Sequence, residues 1–168
     1  MADKYEIFRA VDKDNSGRIS AHELQSVLSN GTGSQFNLST CQLLILMFDR
    51  QNAKTIDFDA FSALFDFVNQ WRNTFQSFDR NGSKSIDYGE FRHALVTFGY
   101  RLPDDLVDNM CRKFDKNNTG TIEFDDFIRA CSTIQILTKS FQPLDVTGQG
   151  RANMTYDQFI RAALSAIP

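Results

Sequence analysis

The chain has 168 residues, which is enough for one compact domain or two closely joined lobes. Apolar residues make up 42% of the chain and include 16 phenylalanines, so a substantial hydrophobic core can form. The net charge of −3 argues against a nucleic-acid-binding protein, because such proteins carry clustered Lys and Arg.

An acidic segment of about twelve residues recurs five times, each time after an apolar stretch that predicts a helix. The first copy, at 12–23, reads DKDNSGRISAHE. This pattern is typical of a calcium-binding helix-loop-helix unit, called a hand below. Its loop supplies oxygen ligands from positions 1, 3, 5, 7, 9 and 12 and turns at a glycine in position 6. The sequence predicts five hands, with loops at 12–23, 49–60, 79–90, 115–126 and 145–158.

Loop 1 meets every requirement of a calcium site. Gly17 stands at the turn, and Glu23 is placed to bind an ion through both of its carboxylate oxygens. The predicted ligands are Asp12, Asp14, Ser16, the carbonyl of Arg18, Ser20 (directly or through water) and Glu23.

Loop 2 keeps the length of a calcium loop but lacks its ligands. Gln51, Ala53 and Ala60 stand at positions 3, 5 and 12, and Lys54 replaces the glycine. We therefore expect no metal in loop 2. Residues 61–78 contain neither Gly nor Pro, so one long helix is predicted between loops 2 and 3.

Loop 3 keeps its oxygen ligands but carries Lys84 at position 6. A residue other than glycine at positive φ costs roughly 1 kcal/mol, so this site is expected to be weakened rather than lost. The predicted ligands are Asp79, Asn81, Ser83, the carbonyl of Ser85, Asp87 and Glu90.

Loops 4 and 5 depart further from the pattern. Loop 4 ends in Asp126, whose shorter side chain reaches an ion less easily. Weak binding of Ca²⁺ or Mg²⁺ and a purely structural role both remain open for loop 4. Its candidate ligands are Asp115, Asn117, Thr119, the carbonyl of Thr121 and Asp126. Loop 5 contains a two-residue insertion, and we expect no physiological site there.

The spacing of the loops predicts how the hands pair. Isoleucines at position 8 of the first four loops fit short strands that join neighbouring loops. Glycine and proline interrupt the connections from loop 1 to 2 and from loop 3 to 4, so these hands fold back on each other. The exiting helices are expected to open at position 13, with Leu24, Phe61, Phe91 and Phe127. The predicted fold is all-α, with hands 1–2 and 3–4 paired and hand 5 unpaired and used for dimerisation.

Five hands in this order resemble the penta-EF-hand family over essentially the whole chain. The full-length first loop resembles the branch that includes peflin and the apoptosis-linked gene 2 protein. Residues 28–32 (LSNGT), 98–102 (FGYRL) and 124–128 (FDDFI) carry this likeness most closely. The resemblance implies a single penta-EF-hand domain over 1–168 and calcium at loops 1 and 3. It further implies a homodimer or heterodimer formed through hand 5.

For function, the resemblance implies calcium-dependent capture of Pro-rich peptides of partner proteins. It places aromatic residues matching Trp71 and Tyr156 near the peptide-binding pocket, although Trp71 could equally be a core residue. Two alternatives to this sensor and adaptor remain open, a simple calcium buffer and a regulatory subunit of an enzyme, similar to the calpain small subunit. Catalysis by the chain itself is not expected, because neither His22 nor His93 has a nucleophile nearby in a recognisable pattern.

The cysteines favour a reducing compartment. Cys41, Cys111 and Cys131 lie in apolar helical stretches, and an odd count fits buried free thiols. No segment reads as a signal peptide, and the longest apolar runs are too short to span a membrane. We therefore expect a cytoplasmic protein that reaches membranes only indirectly, through its partners.

Overall fold

The computed structural model describes residues 3–165 of the chain. In that range eight α-helices are joined by loops, and one 3-10 turn at Gln142–Leu144 precedes loop 5. The helices are α1 (Lys4–Val11), α2 (Ala21–Val27), α3 (Leu38–Phe48), α4 (Phe58–Phe78), α5 (Tyr88–Thr97), α6 (Asp104–Phe114), α7 (Phe124–Phe141) and α8 (Tyr156–Ser165). They form the five expected hands, so the all-α fold is confirmed.

Two small antiparallel sheets join the loops of the first four hands. The strands are β1 (Ile19–Ser20), β2 (Thr55–Ile56), β3 (Ile86–Asp87) and β4 (Thr121–Ile122). Ile19 lies opposite Ile56 and Ile86 lies opposite Ile122, and all four isoleucines are buried. The predicted pairing of hand 1 with hand 2 and of hand 3 with hand 4 is therefore confirmed.

The exiting helices begin three residues earlier than predicted. Ser20, Asp57 and Asp87, at position 9 of their loops, cap helices α2, α4 and α5. Each side chain accepts a hydrogen bond from the backbone N–H three residues later, which satisfies a donor that the helix leaves unpaired. The prediction that position 13 opens these helices is therefore wrong. Residues at position 13 instead lie one turn inside, fully buried, and anchor each helix to the core.

Two long helices each serve two successive hands. Helix α4 runs for 21 residues from loop 2 to loop 3 without interruption, as the lack of Gly and Pro predicted. Helix α7 runs for 18 residues, and the 3-10 turn that contains Pro143 then leads into loop 5. The position of this break agrees with the single proline in that stretch.

The contacts of the chain divide it into two compact units, residues 1–128 and 129–168. The core of the first compact unit is rich in phenylalanine, and most of its ring pairs meet edge to face. Phe91 and Phe127 lie 6.1 Å apart between ring centroids, and Phe36 and Phe124 lie 5.6 Å apart. Such contacts hold hands 1 to 4 around one core. The expectation of a single domain over 1–168 stays a prediction.

A buried carboxylate ties the connection between hands 1 and 2 to the start of α7. Asp125 has no exposed surface. Its oxygens accept hydrogen bonds from the Asn30 side chain (3.0 Å), the Asn37 backbone N–H (2.7 Å) and the Asn37 side chain (2.6 Å). The backbone N–H of Asp125 donates to Oδ1 of Asn30 in return (2.9 Å). Hydrogen-bond donors thus surround the Asp125 carboxylate, as a buried charged group requires.

The three cysteines are buried free thiols, as predicted. Burial raises the pKa of Cys41 to about 12, with a further contribution from the charge of Asp125. Burial likewise raises the pKa of Cys111 to about 11 and raises that of Cys131. Between residues 3 and 165, no helix combines the length and the apolar character needed to cross a membrane.

Candidate calcium sites

Loop 1 begins where helix α1 ends. Asp12 is the C-cap of α1, and its carboxylate accepts the backbone N–H groups of Ser16 (2.9 Å) and Gly17 (2.9 Å). Gly17 has a φ of 73°, a conformation that glycine adopts at little cost. These hydrogen bonds wrap the loop around the Asp12 side chain.

The oxygens predicted as ligands in loop 1 lie together. Asp12, Asp14 and Glu23 each place a carboxylate oxygen within 4.8 Å of the others. The hydroxyl of Ser16 lies 3.3 Å from Oδ1 of Asp12 and 3.1 Å from the carbonyl oxygen of Arg18. Side chains from both ends of the loop and a backbone carbonyl therefore converge on one small region.

Helix α2 fixes the position of Glu23. One Glu23 oxygen accepts the backbone N–H of Ser20 (2.9 Å), while Ser20 caps the helix in return. The other Glu23 oxygen accepts the backbone N–H of Lys13 (3.1 Å). Glu23 is thus both the last acidic group of the loop and a member of the capping box that starts α2.

The charge of this cluster fits a calcium ion. Three carboxylates so close together repel one another when they are ionised. Hydrogen bonds from the side chain and backbone of Ser16 lower the pKa of Asp14, which favours its charged form. Calcium takes six to eight oxygen ligands, with carboxylates preferred. The oxygens that lie together in loop 1 are of the type that calcium prefers.

Loop 3 repeats the backbone arrangement of loop 1. The carboxylate of Asp79 accepts the backbone N–H groups of Ser83 (2.9 Å) and Lys84 (2.9 Å). Glu90 accepts the N–H of Arg80 (3.0 Å) and forms a capping box with Asp87 at the start of α5. Lys84 has a φ of 65°, so it adopts the strained conformation that the sequence predicted for position 6.

Position 4 of each loop also has positive φ, which the sequence analysis missed. Asparagine tolerates this conformation better than most residues other than glycine, because its short polar side chain hydrogen-bonds locally. An Asn or Gly at position 4 of all five loops was the available signal. The residues are Asn15 (55°), Asn52 (53°), Gly82 (69°), Asn118 (51°) and Gly148 (67°).

Loop 4 holds an internal cation beside its last acidic residue. Nζ of Lys116 lies 2.8 Å from Oδ1 of Asp126, and Asp126 is buried. Burial raises the pKa of Asp115, but hydrogen bonds from Thr119, Gly120 and the hydroxyl of Tyr88 outweigh burial and lower it. A metal ion in loop 4 would compete with the Lys116 ammonium for Asp126. The loop pattern alone does not predict this competition.

Loops 2 and 5 keep the turn of a calcium loop. Asp49 accepts the backbone N–H groups of Gln51 (3.0 Å) and Lys54 (2.6 Å). In loop 5, Asp145 accepts the N–H groups of Gln149 (3.2 Å) and Gly150 (2.6 Å). The first Asp therefore shapes the loop even where some of the other oxygen ligands are missing.

The two predicted partner-binding residues lie in different compact units. Trp71 is half-buried in the first, with its ring centroid 5.9 Å from Phe67, 5.5 Å from Phe98 and 5.8 Å from Phe127. Tyr156, at the start of α8 in the second, is 78% exposed. Trp71 therefore belongs to an aromatic cluster and keeps some exposed surface.

Known proteins share this sequence pattern. A family model described as an EF-hand domain pair matches residues 2–65 and 68–132. Sorcin from Schistosoma japonicum is 47% identical over 161 residues, a match that covers 96% of this chain and 94% of that protein. Peflin from Danio rerio is 36% identical, and the match covers 97% of this chain and 61% of that protein.

Solved structures share the fold. The structure of a homolog of programmed cell death 6 protein from Leishmania major Friedlin matches with a TM-score of 0.82 and 33% identity. That match covers 98% of this chain and 94% of the other. The hands and their acidic loops define a calcium-binding protein of the EF-hand class. Within that class the chain belongs to the penta-EF-hand family, which confirms the resemblance seen in the sequence.

Proposed function

We propose that this protein is a calcium sensor and adaptor that captures Pro-rich segments of partner proteins. One observation carries the proposal. Asp12, Asp14 and Glu23 converge in a loop whose last acidic residue belongs to the capping box of helix α2. Membership of the penta-EF-hand family supports the sensor role.

We place two calcium sites in the chain, one in loop 1 and one in loop 3, with loop 4 as a weaker third. When bound, Ca²⁺ supplies the positive charge that the clustered carboxylates lack. The proposed ligands of loop 1 are Asp12, Asp14, Ser16, the Arg18 carbonyl, Ser20 and Glu23. The proposed ligands of loop 3 are Asp79, Asn81, Ser83, the Ser85 carbonyl, Asp87 and Glu90.

Helix α5 provides a route from loop 3 to an aromatic surface. Glu90 belongs to the capping box at the start of this helix. Phe98, the C-cap of the same helix, packs against Trp71 with ring centroids 5.5 Å apart. A displacement of Glu90 toward an ion would therefore move a rigid helix whose other end contacts the sole tryptophan.

The half-buried aromatic cluster around Trp71 suits the proposed ligand. Proline-rich segments adopt an extended helix and dock on grooves lined by aromatic side chains. A shift of Phe98 relative to Trp71 would open apolar surface of that kind. Tyr156 is proposed as a second partner-binding residue, and its exposed ring is available for contact.

Hand 5 is proposed as the dimerisation element. Hands 1 to 4 form two sheet pairs, which leaves the fifth loop without a strand partner in the described part of the chain. The second compact unit also exposes a set of large apolar side chains, which a partner chain would cover. They are Leu137, Val146, Tyr156, Phe159 and Leu164.

Calcium titration with two readouts tests the proposed function. Micromolar Ca²⁺, but not Mg²⁺, is expected to change the fluorescence of Trp71 and to allow binding to an immobilised Pro-rich peptide. Glu90→Gln should blunt both responses if α5 carries the signal. Calcium binding with neither response would overturn the sensor proposal and favour a buffer. A stable heterodimer with an enzyme would instead favour a regulatory subunit.

A further inference from the structure

The side chain of Arg18 crosses from loop 1 into loop 2. Its Nε donates to the hydroxyl of Thr55 (2.7 Å), and its Nη2 donates to the carbonyl oxygen of Thr55 (2.7 Å). Its Nη1 donates to the side-chain oxygen of Gln51 (3.2 Å). One guanidinium therefore binds three oxygens of the neighbouring loop.

Two of those oxygens stand at the ligand positions of a calcium loop. Gln51 is at position 3 of loop 2, and Thr55 is at position 7, where a calcium loop offers its backbone carbonyl. Ala53 and Ala60 stand at positions 5 and 12, so the loop lacks the oxygens it would need for an ion. The loop borders a cavity of about 450 Å³ that Arg18, Gln51 and Thr55 help to line.

We infer that the Arg18 guanidinium is a built-in cation that replaces the metal ion in loop 2. A guanidinium suits this role, because it is permanently charged and presents five donors in a fixed plane. Hydrogen bonds from a charged donor are stronger than those between neutral groups. Loop 2 can therefore keep the shape of a calcium loop without binding calcium.

The same residue joins loop 2 to the proposed site in loop 1. The carbonyl of Arg18 is one of the loop 1 oxygens and accepts a hydrogen bond from Ser16 (3.1 Å). The residue thus presents its backbone to one loop and its side chain to the other. Its anchoring on Thr55 fixes the carbonyl, so Arg18 acts as a positioning residue for loop 1. The positioning role of Arg18 rests on the proposed calcium site in loop 1, whereas the built-in cation in loop 2 does not.

In hands 3 and 4, the residues at the position of Arg18 instead bond within their own loops. The residue that corresponds to Arg18 in loop 3 is Ser85, and its hydroxyl lies 3.1 Å from the hydroxyl of Ser83 in the same loop. In loop 4 the hydroxyl of Thr121 likewise lies 3.0 Å from that of Thr119. The arrangement therefore belongs to hands 1 and 2, where one loop has lost its ligands.

Arg18→Gln tests the inference, with Arg50→Gln as the matched control. Arg50 is exposed and lines the same cavity, so both changes remove one positive charge beside loop 2. The first readout is hydrogen exchange of the Ile56 amide with a calcium chelator present. We expect exchange to become at least about tenfold faster in Arg18→Gln and to stay unchanged in Arg50→Gln, since charged hydrogen bonds are lost only in the former.

The second readout is the calcium affinity of loop 1. Loss of positive charge by itself would strengthen cation binding in both variants. Loss of the Arg18 anchor should instead weaken binding in Arg18→Gln by about fivefold or more, the lower range of coupling between sites. Opposite signs in the two variants would therefore support the positioning role, and equal or tighter binding in Arg18→Gln would overturn it.

The two readouts separate this inference from the proposed function. An unchanged exchange rate of the Ile56 amide in Arg18→Gln would overturn the built-in cation, whatever the calcium affinity of that variant. If the Ile56 amide exchanges faster in Arg18→Gln but the wild-type protein binds no calcium, the built-in cation is upheld and the calcium sensor is overturned. Arg18→Lys should restore the exchange rate only in part, because an ammonium cannot reproduce the planar arrangement of donors.

Discussion

At the scale of single residues, backbone conformation sets the quality of each loop. Lys84 and Lys54 both stand at position 6, with φ values of 65° and 59°. Gly17 and Gly120 meet the same requirement without the steric cost of a side chain. Loop 3 thus combines a complete set of proposed ligands with one unfavourable residue, which makes Lys84 the residue to change.

Lys84→Gly should strengthen calcium binding at loop 3. Relief of about 1 kcal/mol of backbone strain allows a gain of up to about fivefold in affinity. Part of that free energy will appear as greater stability of the fold rather than tighter binding, because Lys84 already has positive φ in this structure. Isothermal titration calorimetry together with thermal unfolding measures both parts.

The matched control is Lys54→Gly. It relieves the same strain in loop 2, which lacks the side-chain oxygens of positions 5 and 12, so stability should rise while calcium affinity stays constant. If Lys84→Gly raises neither affinity nor stability, the strain at position 6 is not what limits loop 3.

The thiols give a second prediction at this scale. Burial raises the pKa of Cys41 to about 12 and that of Cys111 to about 11, so at pH 8 both remain protonated. The thiolate is the reactive form. A thiol-specific dye at pH 8 should therefore label no cysteine in the native protein and all three after unfolding in urea. Rapid labelling of any thiol in the native protein would contradict this prediction.

At the scale of elements, much of the structure follows from local pattern. The isoleucines at position 8 predicted the short strands that join neighbouring loops, and the lack of Gly and Pro predicted helix α4. These features depend on residues close together in the chain, where periodicity and turn chemistry are informative. The exiting helices begin earlier than predicted, because Ser20 and Asp87, which the loop pattern offers as ligands, also cap the helices that follow.

The contacts of Arg18 and Asp125 could not be predicted in this way. Arg18 reaches a residue 37 positions later, and Asp125 reaches one 95 positions earlier. A single sequence gives no local signal for such distant pairs. Both contacts join elements across the first compact unit, so they matter for stability as well as for geometry.

Asp125→Asn should destabilise the protein strongly. Donors from Asn30 and Asn37 face both carboxylate oxygens, so either orientation of the new amide turns its NH₂ group toward a donor. Loss of these buried hydrogen bonds should lower the free energy of unfolding by about 2–3 kcal/mol. Urea denaturation measures this change.

Asp105→Asn on helix α6 is the control, because Asp105 is exposed. This control should change the free energy of unfolding by no more than about 0.5 kcal/mol. Equal effects of the two variants would show that the Asp125 network contributes little to stability.

At the scale of the whole molecule, the proposed dimer depends on hand 5. Phe159 on helix α8 is 54% exposed. Phe159→Asp should shift a dimer toward monomer in sedimentation equilibrium, because a buried unpaired charge in an interface is costly. Leu106→Asp on helix α6, 44% exposed in the native chain, should leave the dimer intact. Dissociation by both variants, or a monomeric wild-type protein, would contradict dimerisation through hand 5.

The number of calcium ions bound, and their dependence on two glutamates, tests the central claim most directly. Calorimetry of the wild-type protein should show two ions with dissociation constants of about 10⁻⁷–10⁻⁵ M, as sensor loops have. Glu23→Gln should remove one of them and Glu90→Gln the other, with the helical circular dichroism of both variants unchanged. Unchanged stoichiometry in Glu23→Gln, or no calcium binding by the wild-type protein in this range, would contradict a calcium sensor built on loops 1 and 3.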